Sequence, residues 1–183
     1  IPAQGLLSLR QASQLKRLVL EDMQITASHK AFISALATAV ERHPSLEEIT
    51  VSNFFTNDWA DTGPNILDPL IWTLSTIPNL KTLELSGCGS HALSGQAVQL
   101  LSSTSLSRLV GNASLEDLQL SFLELEDEHF EAIASQLRIS KSLTTLALDY
   151  HKLESTGFRN MMQAMEKNTS VKTLSLRSLH DIG

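Results

Sequence analysis

The feature that most constrains this chain is a spacing of apolar residues, L-x-x-L-x-L, that recurs six times along 183 residues. The copies begin at Leu15, Leu46, Leu80, Leu115, Leu143 and Val171, so that successive copies are 31, 34, 35, 28 and 28 residues apart. A period of this length holds one strand, one helix and two connections. The spacing therefore predicts a row of repeats, each of which buries its apolar side against its neighbours.

A helical stripe precedes most of the copies at a constant distance. A helix that packs on a core carries apolar residues at positions i, i+3, i+4 and i+7. Four copies have this pattern in one register, and its first residue, thirteen residues before the copy, is Ile33, Leu67, Phe130 or Phe158. Before Leu115 the same offsets are half polar and read Ser102, Ser105, Leu106 and Leu109. We expect a broken or shifted helix at that place.

The longer repeats carry their extra residues between strand and helix, because the distance from each helix to the next strand is constant. The segments NFFTNDWADTGPN, from residue 53, and SGCGSH, from residue 86, are rich in residues typical of turns. Both insertions are therefore expected to project from one rim of the repeats. In the first of them, over 53–66, we expect irregular backbone with Trp59 at least partly exposed.

With these features the chain resembles the ribonuclease-inhibitor type of leucine-rich repeat over nearly all of its length. The segment AMEKNTSVKTLSL, residues 164–176, and the 28-residue spacing carry the resemblance most specifically. It implies an α/β fold: a right-handed leucine-rich-repeat solenoid, the arc of a horseshoe, with parallel strands on the concave face and helices on the convex face. Residues 1–183 are then a single domain of six strand-bearing repeats, and we expect it to be a fragment of a longer array.

The chain departs from the family at the place after each strand where the family has Asn or Cys. The resemblance assigns that residue a hydrogen bond to the turn, and Cys88 fits it as a buried turn residue. Other residue types occupy the place in the remaining repeats: Met23, Phe54, Leu123, His151 and Leu179. This predicts more apolar packing in the turns of this chain.

The sequence holds no motif for catalysis, for a cofactor or for a metal. It lacks the phosphate-binding loop, the nucleophile elbow, the H-E-x-x-H helix and the glycine-rich dinucleotide turn. Cys88 and His91 would supply half of a zinc ligand set at best. We therefore predict a non-enzyme with no cofactor and no metal.

Charge and composition favour a protein partner in the cytoplasm. The net charge of −6 disfavours nucleic acid and anionic membrane surfaces and favours a basic or polar partner. No apolar run approaches the roughly 20 residues that cross a bilayer. A single cysteine, Cys88, cannot form an internal disulfide, which favours a reducing compartment.

Three further patterns have structural explanations that we prefer to functional ones. The acids at 124–128 come just before the apolar stripe of a helix, where they offset the positive end of the helix. The glycosylation triplets at Asn112 and Asn168 are interpreted as accidental, since no secretion signal accompanies them. The methionines at 161, 162 and 165 occupy core positions of the helical stripe.

The candidate binding surface is the strand side of the repeats. If the leucines point inward, the residues between them point outward by the two-residue period of a strand, and this outward set holds five acids and two arginines. Phe122 and Tyr150 follow two of the strands as candidate aromatic anchors, although Phe122 has the alternative of folding back over the core edge. The predicted partner-binding residues are Glu84, Asp117, Gln119, Phe122, Asp149, Tyr150 and, on the rim, Trp59.

The resemblance implies a non-catalytic protein-binding scaffold that uses the concave face and the strand-to-helix rim loops. One alternative is a regulator of a GTPase, as in the Ran GTPase-activating proteins, whose repeats resemble these and which needs a dedicated loop residue. Another is the recognition arm of a larger enzyme or immune receptor. The sequence of the full-length gene distinguishes this last alternative from the scaffold.

Overall fold

Six parallel strands form one sheet in the computed structural model, which describes residues 5–6, 8–22, 29–52, 65–87 and 100–177. The strands are Arg17–Glu21 (β1), Glu48–Ser52 (β2), Thr82–Ser86 (β3), Asp117–Ser121 (β4), Thr145–Asp149 (β5) and Thr173–Ser175 (β6). They lie side by side in chain order, and every neighbouring pair is parallel. All six predicted strands are therefore present, each on its repeat.

The strands are in register because equivalent positions of the repeats pair with one another. Leu18 pairs with Ile49, and the row continues through Leu83, Leu118, Leu146 and Leu174. One backbone contact repeats at the start of each pair: the Lys16 carbonyl accepts hydrogen bonds from the amides of Glu47 and Glu48. The same double contact is made by the carbonyls of Glu47, Lys81, Glu116 and Thr144. The backbone thus locks each repeat onto the one before it.

The helices form a second layer that follows the same order. Among the described residues, a short 3-10 helix, Ser8–Gln11, precedes the α-helices His29–Val40 (α1), Asp68–Leu74 (α2), Ser103–Val110 (α3), Asp127–Leu137 (α4) and Ser155–Lys167 (α5). Each helix packs against the next along the chain. Parallel strands therefore alternate with helices, as expected for an α/β fold. Within the described ranges, the structure has no helix long and apolar enough to cross a membrane.

The core lies between the two layers and is built from the predicted positions. The inward residues of β4, Leu118 and Leu120, are fully buried, and so are the equivalent leucines of β5. On the helical side Ile33, Leu67 and Phe130 open the predicted stripe and are at most 2% exposed. The stripe register predicted from the sequence is therefore confirmed for α1, α2 and α4.

The helix before β4 is short but neither broken nor shifted, so our expectation for this segment was wrong. Its two polar stripe positions are satisfied by hydrogen bonds. Ser102 caps the helix by accepting from the Ser105 amide at 3.2 Å, and the Asp68 carboxylate accepts from both the amide and the hydroxyl of Ser102. The fully buried Ser105 hydroxyl accepts from the Trp72 indole N–H at 2.9 Å. A polar network thus replaces apolar packing between α2 and α3.

The stripe of α5 departs from the prediction at its first position. Phe158 is 36% exposed, whereas the equivalent Phe130 of α4 is completely buried. Met161 lies in the core as predicted, while Met162 and Met165 are only partly buried against it. The reason is that α5 packs on α4 alone among the described helices, so the other side of its stripe has no helical neighbour there.

Asn112 and Asn168 hold the corner between a helix and the following strand. Each stands three residues before the first leucine or valine of its repeat, and its side-chain amide donates to carbonyls of the preceding repeat. Each side-chain oxygen in turn accepts from the amide of the serine two residues later, Ser114 or Ser170. The triplets that match a glycosylation signal are therefore turn-forming hydrogen-bond motifs, in which the amide nitrogen is already engaged.

Candidate functional site

The outward side chains of the strands form one continuous surface, which we call the strand face. Their rows follow from the register: Glu84 of β3 pairs with Gln119 of β4, and Thr82 pairs with Asp117. In β3, β4 and β5 the outward residues are half-buried and the inward ones are buried. The structure therefore brings the predicted residues Glu84, Asp117 and Gln119 together on neighbouring strands.

The negative charge of the strand face is concentrated in its middle. At the β1 edge Arg17 pairs with Glu48 at 3.3 Å, which neutralises both. In the middle, Gln119 donates to the Asp117 carboxylate at 3.2 Å, and Glu84 makes no ion pair among the described residues. Two carboxylates on adjacent strands thus lack a compensating cation in this part of the chain.

Asp149 has a structural role that the sequence did not indicate. Its carboxylate accepts from the Ser175 hydroxyl and from the Arg177 amide, both at 2.8 Å. These contacts hold the segment after β6 against the end of β5. Asp149 is therefore an anchor of the sheet as well as a surface charge, and its predicted contact with a partner stays a prediction.

Phe122 and Tyr150 form an aromatic pair at the carboxyl ends of β4 and β5. Their ring centroids are 4.2 Å apart and the ring planes differ by 9°, which is a stacked arrangement. Phe122 is half-buried and Tyr150 is 42% exposed. The Phe122 ring is thus partly covered by Tyr150, and Phe122 is not among the side chains that pack against the core, which favours the border of the strand face over the core edge.

The backbone under this pair adopts a conformation that bulky residues rarely take. The φ angles of Phe122 and Tyr150 are 54° and 63°, in the left-handed region. The equivalent residue after β1 is Asp22, with a φ of 49°, and Asp tolerates this region better than an aromatic residue does. Each aromatic residue costs on the order of 1–2 kcal/mol here relative to glycine. The left-handed turn is thus shared by several repeats, and Phe122 and Tyr150 are the places where it carries a bulky ring.

Backbone hydrogen bonds hold the turns at Phe122 and Tyr150 and continue the sheet by one residue beyond β4 and β5. The Phe122 amide donates to the Asp149 carbonyl and the Tyr150 amide donates to the Arg177 carbonyl, at 3.3 and 2.8 Å. On the other side the Gly87 amide donates to the Ser121 carbonyl, and a Cβ on Gly87 would run into the Phe122 carbonyl oxygen. Glycine is thus required beside the aromatic pair, and no side chain stands at that position.

His151 takes the place in its repeat where the resemblance assigns an Asn or Cys. The ring is 2% exposed; its Nε2 donates to the Leu120 carbonyl at 3.1 Å, and its Nδ1 accepts from the Leu125 amide at 3.5 Å. Burial lowers the pKa of His151 to about 4, with partial opposition from the Leu120 carbonyl and the Asp149 charge. The neutral imidazole therefore performs the turn contact. In the preceding repeat Leu123 fills the same place and is buried, as the expected apolar packing requires.

The acidic segment 124–128 belongs to the start of α4, as predicted. Glu126 and His129 form a reciprocal capping contact at the first turn. The Asp127 carboxylate accepts from the amides of Glu154 and Gly157 at 3.0 and 3.1 Å, so it also fixes the start of α5. Among the described residues no group of three or more metal-ligating side chains could hold an ion. Glu126 and Asp127 thus have structural roles.

Some predicted features lie outside the residues that the structure describes. They are Trp59, Cys88 and the greater part of both insertions, as well as Met23, Phe54 and Leu179. The rim half of the predicted binding surface therefore stays a prediction. The strand-face half lies within the described residues, and its geometry is the one given above.

A sheet of parallel strands in chain order, with one helix layer in the same order, defines the structural class of this chain. A solved structure of similar fold is the C-terminal domain of tropomodulin from Caenorhabditis elegans, with a TM-score of 0.59 and 15% identity over 92% of this chain and 93% of that one. Such a likeness concerns the fold alone, which is of the leucine-rich-repeat-like kind.

A second solved structure, titled leiomodin-1 actin-binding site 2, has a TM-score of 0.47 and 10% identity over 94% of this chain and 77% of that one. This similarity is too distant to bear on the chain. No protein-family model and no curated protein sequence matches.

Proposed function

We propose that this chain is a non-catalytic, cytoplasmic protein-binding scaffold that recognises its partner through the strand face and the neighbouring strand-to-helix rim. It is then a single leucine-rich-repeat domain of the ribonuclease-inhibitor type, with the arc of a horseshoe. The observation that carries the proposal is the aromatic pair Phe122–Tyr150, held in strained backbone beside an acidic surface. Exposed aromatic residues next to uncompensated charge are typical of protein-binding surfaces.

The partner is expected to be basic where it meets this surface. Glu84 and Asp117 face outward from adjacent strands. Of the two outward arginines, Arg17 is engaged by Glu48, and Arg177 follows β6, two strands from Asp117. Opposite charge on the partner accelerates encounter and fixes register more than it strengthens the final complex. Tyr150 supplies the contact area that slows dissociation.

The test is a capture of partners by the full-length protein, followed by association kinetics with strand-face variants. The variant Glu84→Lys/Asp117→Lys is expected to slow association about tenfold or more at low salt and to weaken the dependence of the rate on salt. We avoid Asp149 in this variant because its carboxylate anchors Ser175 and Arg177.

A matched control changes the same total charge on the helical side. Glu131 of α4 and Glu166 of α5 are exposed, and their reversal to Lys leaves the strand face intact. This control is expected to change the association rate far less. If both double variants slow association equally, only the net charge matters and the strand face is not the binding surface.

A further inference from the structure

The aromatic pair and its acidic surroundings have the composition of a site for a planar cation. Tyr150 is 42% exposed with its ring stacked on Phe122, so the pair offers a rigid π surface at the end of β5. A guanidinium group stacks on such a surface, whereas an ammonium group is held mainly as a point charge. The chain already makes this contact on its helical side, where the Arg108 guanidinium lies 4.0 Å from the centre of the Trp72 ring.

The strand that leads to Tyr150 ends in an outward-facing carboxylate. Asp149 precedes Tyr150, and its two oxygens accept from the Ser175 hydroxyl and the Arg177 amide. A carboxylate has about four lone-pair sites, so these contacts leave it able to accept from a further donor. Its orientation is fixed by the internal contacts, which removes part of the entropy cost of binding a cation.

A second acid lies at a distance that an extended segment can span. Glu84 is two strands from Tyr150 and three residues earlier along the strand direction by the register of the sheet. Strand spacing and rise place their Cα atoms about 14 Å apart. An extended chain covers this in about four residues.

We propose that the strand face takes an extended segment with two basic residues about four positions apart, and that the residue seated on the Phe122–Tyr150 pair is an arginine. The guanidinium stacks on Tyr150 and donates to Asp149, and the second cation meets Glu84. This inference rests on the proposed function and specifies the chemistry of the partner. The geometry distinguishes the two positions, because only the first one adjoins an aromatic pair.

The probe is a heptapeptide, acetyl-Gly-Arg-Gly-Ser-Gly-Arg-Gly-amide, with a lysine version and a citrulline version of the same length. Citrulline keeps the shape of arginine without its charge. Binding to the whole chain is followed by nuclear magnetic resonance at low salt. We expect the arginine peptide to bind at least threefold more tightly than the lysine peptide and at least tenfold more tightly than the citrulline peptide, with shifts at Tyr150.

Variants of the chain assign the two positions. Tyr150→Asn removes the ring while suiting the left-handed backbone, so the thermal midpoint is expected to hold or rise and the preference for arginine over lysine to disappear. Tyr150→Phe should keep the preference. Glu84→Gln should weaken both basic peptides about equally, because it removes a charge without touching the stacked position.

Equal affinity for the arginine and lysine peptides, or an arginine preference that survives Tyr150→Asn, overturns this inference, as does the absence of any binding at millimolar peptide. The proposed function is judged separately, by the sensitivity of a captured partner to reversal of Glu84 and Asp117. A partner that is sensitive to this reversal but indifferent to arginine therefore leaves the scaffold proposal standing and removes only the arginine site.

Discussion

His151 shows how one residue can satisfy a backbone turn and add a dependence on pH. The neutral ring donates to Leu120 and accepts from Leu125, and its pKa in the folded chain is about 4 because the ring is buried. In the unfolded chain the pKa returns to about 6.5. The unfolded state therefore binds a proton between pH 6.5 and pH 4 that the folded state does not.

The first prediction is a loss of stability on acidification that is due to His151. The stability that the neutral ring contributes is fully present above pH 6.5 and is lost as the pH falls to about 4, and the total loss is on the order of 3 kcal/mol. The measurement is the free energy of unfolding by urea at a series of pH values.

The variant His151→Asn isolates this contribution, since Asn can also donate and accept but does not titrate. The variant is expected to lose some stability at neutral pH and to show a shallower decline between pH 6.5 and 4. The other buried histidines, His43 and His129, are present in both proteins. Identical slopes for the two proteins would mean that His151 is protonated in the folded chain or is not buried.

Residue-level roles were the hardest to anticipate, because they depend on neighbours one repeat away. The sequence placed Phe122 and Tyr150 after their strands but did not show that the rings stack, which requires the register between β4 and β5. It placed Asp149 on the surface but could not show that Ser175 and Arg177 reach back to it. Such contacts join residues 26 to 28 positions apart.

At the scale of elements, α3 demonstrates that a helix can keep its register with polar residues in its stripe. The pattern of apolar residues predicted a defect, yet Ser105 is buried and bonded to Trp72 of the preceding helix. The compensating partner is 33 residues away in the sequence, so the pattern of residues within the helix could not indicate it. The regular helices were predictable because their stripes need no partner of a particular kind, only an apolar surface.

The second prediction concerns this contact. Replacing Trp72 with Phe removes the indole N–H donor and leaves the Ser105 hydroxyl without it, which should destabilise the chain by about 1–2 kcal/mol. Replacing Ser105 with Ala should cost less in the Trp72→Phe background than in the native chain. Urea unfolding followed by circular dichroism of the two single variants and the double variant gives the coupling energy.

The Arg108 guanidinium over the Trp72 ring provides an internal control for that cycle. A Phe ring preserves much of the cation–π contact, so Arg108→Ala should cost nearly the same in the native chain and in Trp72→Phe. The hydrogen-bond interpretation fails if the Trp72 and Ser105 substitutions are simply additive. It also fails if Arg108, and not Ser105, proves to be the coupled partner.

At the scale of the whole molecule, contacts connect each repeat mainly with the repeats beside it. The sheet runs from β1 to β6 in chain order, and the helices pack in the same order. This arrangement was the most predictable part, because six copies of one apolar spacing leave few other ways to bury the leucines. The rim around Trp59 lies outside the described residues, and its role stays a prediction.

The third prediction is that a destabilising substitution at the centre of the sheet lowers the stability of the whole stack of repeats. Leu118 is fully buried in β4, with strands on both sides, and Leu118→Ala should cost on the order of 2–5 kcal/mol. The comparison is Leu174→Ala in β6, a partly buried residue, which should cost clearly less. Both are measured as shifts of the urea midpoint.

A single transition that moves with Leu118→Ala is expected for one cooperative unit. Two transitions, of which only one responds to the substitution, would instead show that the chain holds two independent cores. A loss at Leu174 as large as that at Leu118 would mean that the end of the sheet is as tightly packed as its middle.

The equal spacing of the last three strands also indicates how the strand face could become longer. The last three strands begin 28 residues apart, and the ladder contacts at Glu116 and Thr144 are the same in each. A tandem duplication of residues 117–144 would therefore insert one more strand and helix that already match both neighbouring repeats. It would also add a further copy of Asp117, Gln119 and Phe122. Each repeat unit added to the gene would then widen the strand face by one strand, without any change in the architecture of the sheet.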